Sequence, residues 1–231
     1  MTENIESIIE LENKIGLKFK DKSLLIEALT HSSYTNQFKN RNHNERLEFL
    51  GDSVLQITIS EFLYKNFYEK SEGELTRIRA LIVCENSLYE IAQALNLGNY
   101  LYMSKGEELT GGRNRTSILA DCVEAIIAAI YLDQDINKAK NFILDKFSAV
   151  INKAVNNEIV LDYKTRLQET LQQNGEISIS YNLVKWEGPP HRRIFFTEVQ
   201  INKEVIGCGS GYSKKESEQN AAKEALEVLE V

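Results

Sequence analysis

The sequence predicts two domains: an all-α domain, then an α+β domain of α-β-β-β-α order with a three-stranded antiparallel sheet. Apolar residues recur at helical spacing from Ile5 to about Ala154, and strand-like alternation appears only after Asp162. Both prolines, Pro189 and Pro190, lie in the later part, so no proline breaks a helix before them. We therefore predict a first domain at 1–155, a linker at 156–161 and a second domain at 162–231.

Apolar spacing and capping residues place the helices of the first domain. The predicted order is 5–16, a helix after Asp21, a longer one after Asn44, one that Ser71 and Glu74 open as a capping box, one from Asn86 to near Gly98, then 118–132 and 136–154. The polar stretch 104–114 is predicted to be an exposed loop. The helix after Asn44 is apolar on more than one face, which indicates a central position.

The second domain is predicted to begin with a helix at 163–173, which stops at Asn174 and Gly175. Alternating apolar residues then predict strands near 177–183, 194–201 and 205–209. Turns are predicted at 188–190 and at Asn202–Lys203. A capping pattern at Ser213 and Glu216 opens the last helix.

Composition excludes several classes of protein. With 231 residues, 42% hydrophobic and 26% charged, the chain is typical of globular proteins. Its longest apolar run, 125–132, is far shorter than the roughly 20 residues of a membrane span, and the acidic start lacks a secretory n-region. Three scattered cysteines indicate neither a zinc module nor disulfides, which suits a reducing cytoplasm. The net charge of −7 alone argues against nucleic-acid binding.

Carboxylates form the most informative pattern. Glu45, Glu48 and Asp52 lie at i, i+3 and i+7, on one face of the predicted central helix. Asp121 and Glu124 repeat the i, i+3 spacing within the most hydrophobic helix, where an unpaired carboxylate would be costly. That helix contains no Lys or Arg, so a bound divalent cation is the simplest source of the positive charge that these carboxylates need.

The donor types indicate which metal such a site would bind. All-oxygen ligands favour Mg²⁺, with Mn²⁺ as a substitute, and His31, His43 and His191 are not spaced as metal ligands. Enzymes that catalyse phosphoryl transfer commonly use Mg²⁺ bound by carboxylates. The carboxylate pattern therefore favours a phosphodiester hydrolase. The glycines at 207–211 match no phosphate-loop pattern, so no nucleotide cofactor is predicted.

Two other interpretations of the acidic helix remain to be weighed. The carboxylates could form a solvated acidic face, because Asp and Glu are mostly surface residues. Gly51-Asp52-Ser53 could be an esterase nucleophile motif, but Ser53 lies in a helical pattern and no histidine has a matching acid to complete a triad. We therefore reject the esterase.

Three acidic motifs resemble those of bacterial ribonuclease III. They are NERLEFLGDS at 44–53, EGELT at 72–76 and ILADCVEA at 118–125, in the family's order and spacing. The resemblance covers essentially the full length. It implies a homodimeric helical endonuclease domain followed by a double-stranded RNA-binding domain, acting on ribosomal and other structured RNA.

The resemblance also implies roles for individual residues. The implied Mg²⁺ ligands are Glu48, Asp52, Asp121 and Glu124, with Asp52 and Glu124 central to catalysis, and Glu45 and Glu72 are auxiliary acidic residues. Cleavage would leave 5′-phosphate and 3′-hydroxyl ends. Phe49 matches a family position at the dimer interface, although a core aromatic is an equal alternative.

The second domain resembles RNA-binding domains despite its charge. Residues 162–231 contain nine Lys and Arg against eleven Asp and Glu, so its charge is 9 − 11 = −2. Lys214 and Lys215 open the last helix, whose N-terminus is itself an anion site. The resemblance implies the duplex RNA contacts Thr165, Gln168, Gln172, His191, Lys214 and Lys215.

Two rival functions are left open by the sequence. One is a non-catalytic double-stranded RNA-binding protein that retains the fold, and it is disfavoured because all six acidic positions are filled. The other is a dimeric scaffold whose acidic helices bind a basic partner.

Overall fold

The computed structural model describes residues 5–35, 42–156, 163–172, 178–189 and 192–229. Contacts divide the chain into two compact units, Met1–Ile159 and Val160–Val231, called here the helical unit and the αβ unit. Each unit has its own core of buried apolar side chains. The predicted fold class is confirmed.

The helical unit consists, in its described part, of ten α-helices and two 3-10 turns. The helices are α1 Ile5–Ile15, α2 Lys22–Ala28, α3 Ser32–Thr35, α4 Glu45–Asn66, α5 Glu72–Ile82, α6 Glu85–Leu95, α7 Lys105–Leu109, α8 Thr116–Asp133, α9 Ile136–Lys146 and α10 Ser148–Val155, and the 3-10 turns are Leu97–Asn99 and Gly112–Asn114. The predicted caps are present, because Asp21 caps α2 and Ser71 and Glu74 form the capping box of α5.

Helices α4 and α8 form the centre of the helical unit. Helix α8 is buried over most of its length, as its nearly continuous apolar sequence predicts. The two helices are in direct backbone contact at Gly51, where a Cβ atom would lie 1.8 Å from the carbonyl oxygen of Glu124. Only glycine fits this crossing, and it brings Glu48 and Asp52 of α4 alongside Glu124 of α8.

Three expectations about the helices were wrong. The stretch 104–114 is not simply a loop: Ser104 caps α7 by accepting the N–H of Glu107 at 3.1 Å. The predicted helix 136–154 is two helices, because the chain bends at Phe147, whose side chain is fully buried. Helix α6 stops at Leu95 and not near Gly98, because Asn96 adopts a left-handed conformation with φ of 55°.

The αβ unit places two helices against a three-stranded sheet. Its elements are α11 Tyr163–Gln172, β1 Ile179–Glu187, β2 Ile194–Ile201, β3 Glu204–Gly211 and α12 Lys214–Val228. The strands are antiparallel in the order β1-β2-β3, and the turn at Asn202 and Lys203 has positive φ at both residues, as a type I′ hairpin requires. Gly207 and Gly209 let β3 pack directly against the backbone of α12.

No helix in the described ranges combines the length and the apolarity that crossing a membrane would need.

Candidate active site and RNA-binding surface

The carboxylates of α4 and α8 form one coupled group, which we call the acidic cluster and define as Glu45, Glu48, Asp52, Asp121 and Glu124. Burial, followed by the charges of Asp52, Glu48 and Asp121, raises the pKa of Glu124 to about 8. Burial also raises the pKa of Glu48, and the charges of Asp121, Glu45 and Asp52 add to that effect. The side chains from the two helices therefore share one partly desolvated space.

Asp121 has two neighbours that the motifs did not reveal. Burial is the largest cause of its raised pKa, followed by the charge of Glu85, whereas His31 opposes the rise. Glu85 opens α6 and His31 follows α2, so only the fold brings them to α8. Glu85 is the acidic neighbour that sequence reasoning missed, and no spacing in the sequence could have indicated it.

The cluster is not neutralised by basic side chains. Among the described residues, no lysine or arginine forms an ion pair with Glu48, Asp52, Asp121 or Glu124. Glu45 lies 3.7 Å from the imidazole of His43, and Asp52 accepts a 3.2 Å hydrogen bond from Gln56. Desolvated carboxylates without a counter-charge are unfavourable, so the donor set suits a cation from solution.

The carboxylates do not converge as ligands in their present rotamers. Within the ranges that the structure describes, no three His, Cys, Asp or Glu side chains are placed to hold one metal ion. Like charges repel, and the bond to Gln56 turns Asp52 along its own helix. The oxygen chemistry and the shared, partly desolvated space fit a hard divalent cation.

Glu72 lies apart from the cluster. It opens α5, its carboxylate accepts a 3.0 Å hydrogen bond from Thr76, and it lines a groove of about 970 Å³ between α4 and α5. The charges that act on Glu48, Asp121 and Glu124 do not include that of Glu72. Within one chain, the structure thus brings together five of the six predicted acidic residues.

An exposed apolar face runs along α4 beside the acidic cluster. Phe49 is 78% exposed, Ile57 58% and Tyr64 76%, and they are spaced by eight and seven residues, about two helical turns each. The interpretation of Phe49 as a core aromatic is therefore wrong. A row of large exposed apolar side chains on a long helix is typical of a protein–protein interface.

Several basic residues of the αβ unit, Arg192, Arg193, Lys214 and Lys215, lie at one end of its sheet. The strand register pairs Trp186 with Phe195 and Phe195 with Gly211, so the β1–β2 turn and the start of α12 lie at the same end. Lys214 and Lys215 occupy the exposed first turn of α12, after the N-cap Ser213. The charged side chains of the αβ unit are therefore unevenly distributed, and this end is basic although the unit as a whole is acidic.

The other predicted RNA contacts are only partly described. Thr165 and Gln168 are exposed on the same side of α11, three residues apart. The side chain of Gln172 and the whole of His191 lie outside the described residues. The first turn of α11 contacts α12 near Lys214, because Gln219 accepts the Tyr163 N–H at 2.7 Å and Glu218 pairs with Lys164.

Comparisons with known proteins match both units. A family model described as ribonuclease-III-like matches residues 21–151, and a double-stranded RNA binding motif matches residues 163–229. The Ribonuclease 3 of Clostridium perfringens strain 13 is 64% identical over 96% of this chain and 94% of its own. That of Clostridium botulinum strain Eklund 17B is 66% identical over 96% and 95%.

The chain belongs to the ribonuclease III family. Among solved structures, it resembles the nuclease domain of ribonuclease III from Campylobacter jejuni, with a TM-score of 0.58 and 46% identity over 62% of this chain and 96% of that domain. That domain is described with a flexible region involved in dimer formation.

Family membership confirms the resemblance that the acidic motifs indicated. This ribonuclease III is an enzyme, an endoribonuclease for double-stranded RNA, and it depends on a divalent metal ion, as its family implies. The match to the RNA-binding motif also answers the objection from net charge, because the αβ unit binds duplex RNA while carrying a charge of −2.

Proposed function

We propose that the enzyme hydrolyses phosphodiester bonds of double-stranded RNA with Mg²⁺, for which Mn²⁺ substitutes, and leaves 5′-phosphate and 3′-hydroxyl ends. The observation that carries the proposal is the acidic cluster at the α4–α8 crossing, which is partly buried and has no lysine or arginine partner among the described residues. Such a cluster suits a hard cation and a phosphate substrate.

We assign the metal ligands to Glu48, Asp52, Asp121 and Glu124. A divalent cation held by these carboxylates would supply positive charge for a phosphate substrate and would lower the pKa of a bound water. Glu124, whose pKa is about 8, keeps a proton on its carboxyl group at neutral pH without the cation. Glu124 would have to lose that proton to bind a cation, so we expect the affinity for metal to rise with pH.

The remaining acidic residues have supporting roles. Glu45, exposed beside His43, opens the acidic face of α4 and limits where a phosphate backbone can approach. Glu72 lies outside the cluster of its own chain, so any action on the cleaved strand goes through the RNA, a water or a second subunit. Charge on both residues keeps the RNA from lying flat against the surface near the cluster.

We propose that two copies pair through the exposed face of α4. Phe49, Ile57 and Tyr64 are large apolar side chains whose exposure is unfavourable in a monomer. The solved nuclease domain from C. jejuni, which is described with a region involved in dimer formation, supports pairing of two copies. Because the face adjoins the acidic cluster on α4, a homodimer presents two clusters to one duplex.

The αβ unit is proposed to hold the duplex by its shape. Lys214 and Lys215 bind phosphates, and Thr165 and Gln168 contact a minor groove. Gln172 and His191 keep the roles that the resemblance implies. The proposed substrates are ribosomal RNA precursors and other structured RNA in the cytoplasm, a reducing compartment that suits the free thiols of Cys84, Cys122 and Cys208.

One assay tests the central proposal. The pure protein is incubated with duplex RNA with and without Mg²⁺, and the ends of the products are mapped. We expect Mg²⁺-dependent cleavage with 5′-phosphate ends, and we expect Glu124→Gln to lower cleavage by at least about a hundredfold while duplex binding persists. Undiminished cleavage by this variant would exclude the assignment of Glu124, and binding without cleavage by the wild type would favour a non-catalytic RNA-binding protein.

A further inference from the structure

Trp186, the only tryptophan of the chain, is exposed at the basic end of the αβ unit. Its side chain is 56% exposed near the end of β1, just before the β1–β2 turn. Gly188 has φ of +94°, and a Cβ atom there would lie 2.6 Å from the carbonyl oxygen of Arg192, so the chain passes close to itself at this point. Strand β2 runs antiparallel beside β1, and the guanidinium of Arg193, just before β2, lies over the indole ring of Trp186, 5.8 Å from its centroid.

The basic side chains around Trp186 retain their charge for a partner. None of Arg192, Arg193, Lys214 and Lys215 forms an ion pair with another residue in the described part of the chain. Two carboxylates lie at this end, and both are engaged: Glu187 binds Lys185 at 2.6 Å, and Glu216 accepts the Tyr212 N–H at 2.7 Å. This end of the sheet therefore presents positive charge and one large apolar ring together.

The indole ring of Trp186 and the guanidinium of Arg193, which has no ion-pair partner among the described residues, together could bind a polyanion that also has apolar parts. Trp and Arg are enriched among residues that dominate binding energies, and the ring holds the guanidinium without neutralising it. Nucleic-acid backbone offers both complements, a phosphate for the arginine and a ribose for the ring. In an RNA duplex the bases stay stacked, whereas the wide, shallow minor groove exposes riboses at its edges.

We propose that Trp186 and Arg193 form an additional contact to duplex RNA, in which Arg193 binds a backbone phosphate and Trp186 packs against the adjacent ribose. This contact rests on the proposed binding of double-stranded RNA by the αβ unit, and it adds two residues that the motif resemblance did not indicate. It supplements Lys214 and Lys215, which lie at the same end of the sheet but reach phosphates from α12.

The single tryptophan makes the contact directly measurable. The full-length protein with Glu124→Gln, which prevents cleavage, is titrated with a duplex longer than about 16 base pairs. Tryptophan fluorescence and its quenching by acrylamide are recorded during the titration. We expect the ring to become protected from acrylamide as the duplex binds, and the protection to saturate with the binding curve.

Variants in the same background separate the two residues. We expect Arg193→Ala to weaken duplex binding about five- to tenfold and to lower the slope of log K against log salt by about 1. Trp186→Ala should weaken binding by a similar factor with a smaller change in slope, and Trp186→Phe should restore most of the loss. Circular dichroism and thermal melting establish that each variant is folded.

The far end of the sheet supplies matched controls. Lys203→Asn removes one positive charge from an exposed left-handed position that asparagine accepts, and Val205→Ala removes an exposed apolar side chain. If the parent binds duplex RNA but the Trp186 and Arg193 variants bind as tightly as these controls, the contact does not exist and the proposed function stands. A loss confined to RNA with unpaired bases would overturn the ribose assignment, and a parent that binds no duplex would overturn both proposals.

Discussion

Glu124 has the most strongly raised pKa of the acidic cluster, and this has a consequence for stability. Because its pKa of about 8 lies above the ordinary 4.5, its contribution to stability is complete below pH 4.5 and is lost as the pH rises through 8. Glutamine cannot ionise, so we expect Glu124→Gln to melt a few degrees higher than the wild type in EDTA at pH 8 and with little difference at pH 4.5. Thermal unfolding across this range measures the effect.

We expect Mg²⁺ to reverse the order of the two melting temperatures, so that the wild type melts above Glu124→Gln. In Mg²⁺ the wild type is expected to gain stability, since the cation binds only the folded cluster, whereas Glu124→Gln should gain much less. Glu69→Gln, a change at an exposed carboxylate of the same unit, serves as the control and should behave as the wild type. Equal pH dependence of the Glu124 variant and the wild type in EDTA would contradict the desolvated state of this carboxyl.

Gly51 offers a second test at a single residue, because it sets the distance between α4 and α8. A Cβ atom there would meet the backbone oxygen of Glu124 at 1.8 Å, so Gly51→Ala must push the helices apart. We expect a loss of stability of about 3 kcal/mol, at the upper end for overpacking, together with weaker cleavage. Urea unfolding and duplex cleavage measure the two effects.

Gly73 is the matched control for that substitution. It lies in α5, where a Cβ atom would meet nothing within 4 Å, so Gly73→Ala should stabilise by about 0.5–1 kcal/mol through helix propensity. If Gly51→Ala were tolerated as well as Gly73→Ala, the close crossing would not be what aligns the carboxylates of the two helices.

Helix α4 carries the exposed apolar face through which we propose that two copies pair. Ile57 is 58% exposed in the middle of this face, so Ile57→Asp should leave the fold of one chain nearly unchanged while placing two charges in the proposed interface. We expect a dimer of the wild type to become a monomer, with a loss of cleavage. Sedimentation equilibrium measures the mass of each species.

A charged substitution elsewhere distinguishes the interface from a general effect. Leu109 of α7 is 87% exposed and lies outside the α4 face, so Leu109→Asp should remain a dimer. Dissociation of both variants would indicate that added charge alone prevents assembly. Retention of the dimer by Ile57→Asp would show that pairing uses another surface.

Elements with local signals could be predicted, and those that depend on tertiary packing could not. The caps at Asp21, Ser71 and Ser213 determine where helices begin, and they are visible in the sequence. The break at Phe147 has no proline or glycine to announce it and follows from burial of the aromatic ring. Similarly, the spacing of Asp121 and Glu124 indicated a site, whereas the neighbours Glu85 and His31 come from elements that only folding brings to Asp121.

At the scale of the whole molecule, the two cores make separate folding expected. The buried apolar side chains of the helical unit and of the αβ unit form two clusters, and α10 ends at Val155. We therefore expect a chain that ends after Asn156 to fold as a helical protein with a cooperative melt. Loss of the helical circular dichroism signal in this fragment would contradict the division into two units.

The same fragment tests whether catalysis depends on the helical unit and substrate binding on the αβ unit. The acidic cluster is retained, but the basic end formed by Arg192, Arg193, Lys214 and Lys215 is lost, so the affinity for duplex RNA should fall. Salt weakens duplex binding by both proteins. The fragment has fewer phosphate contacts, so its affinity depends less steeply on salt, but that affinity starts lower and the fragment is the first to leave saturation as salt rises. We expect cleavage by the fragment to approach that of the full chain only at low ionic strength and to decline more at physiological salt. Equal cleavage by both proteins across the salt range would mean that the helical unit binds its substrate unaided.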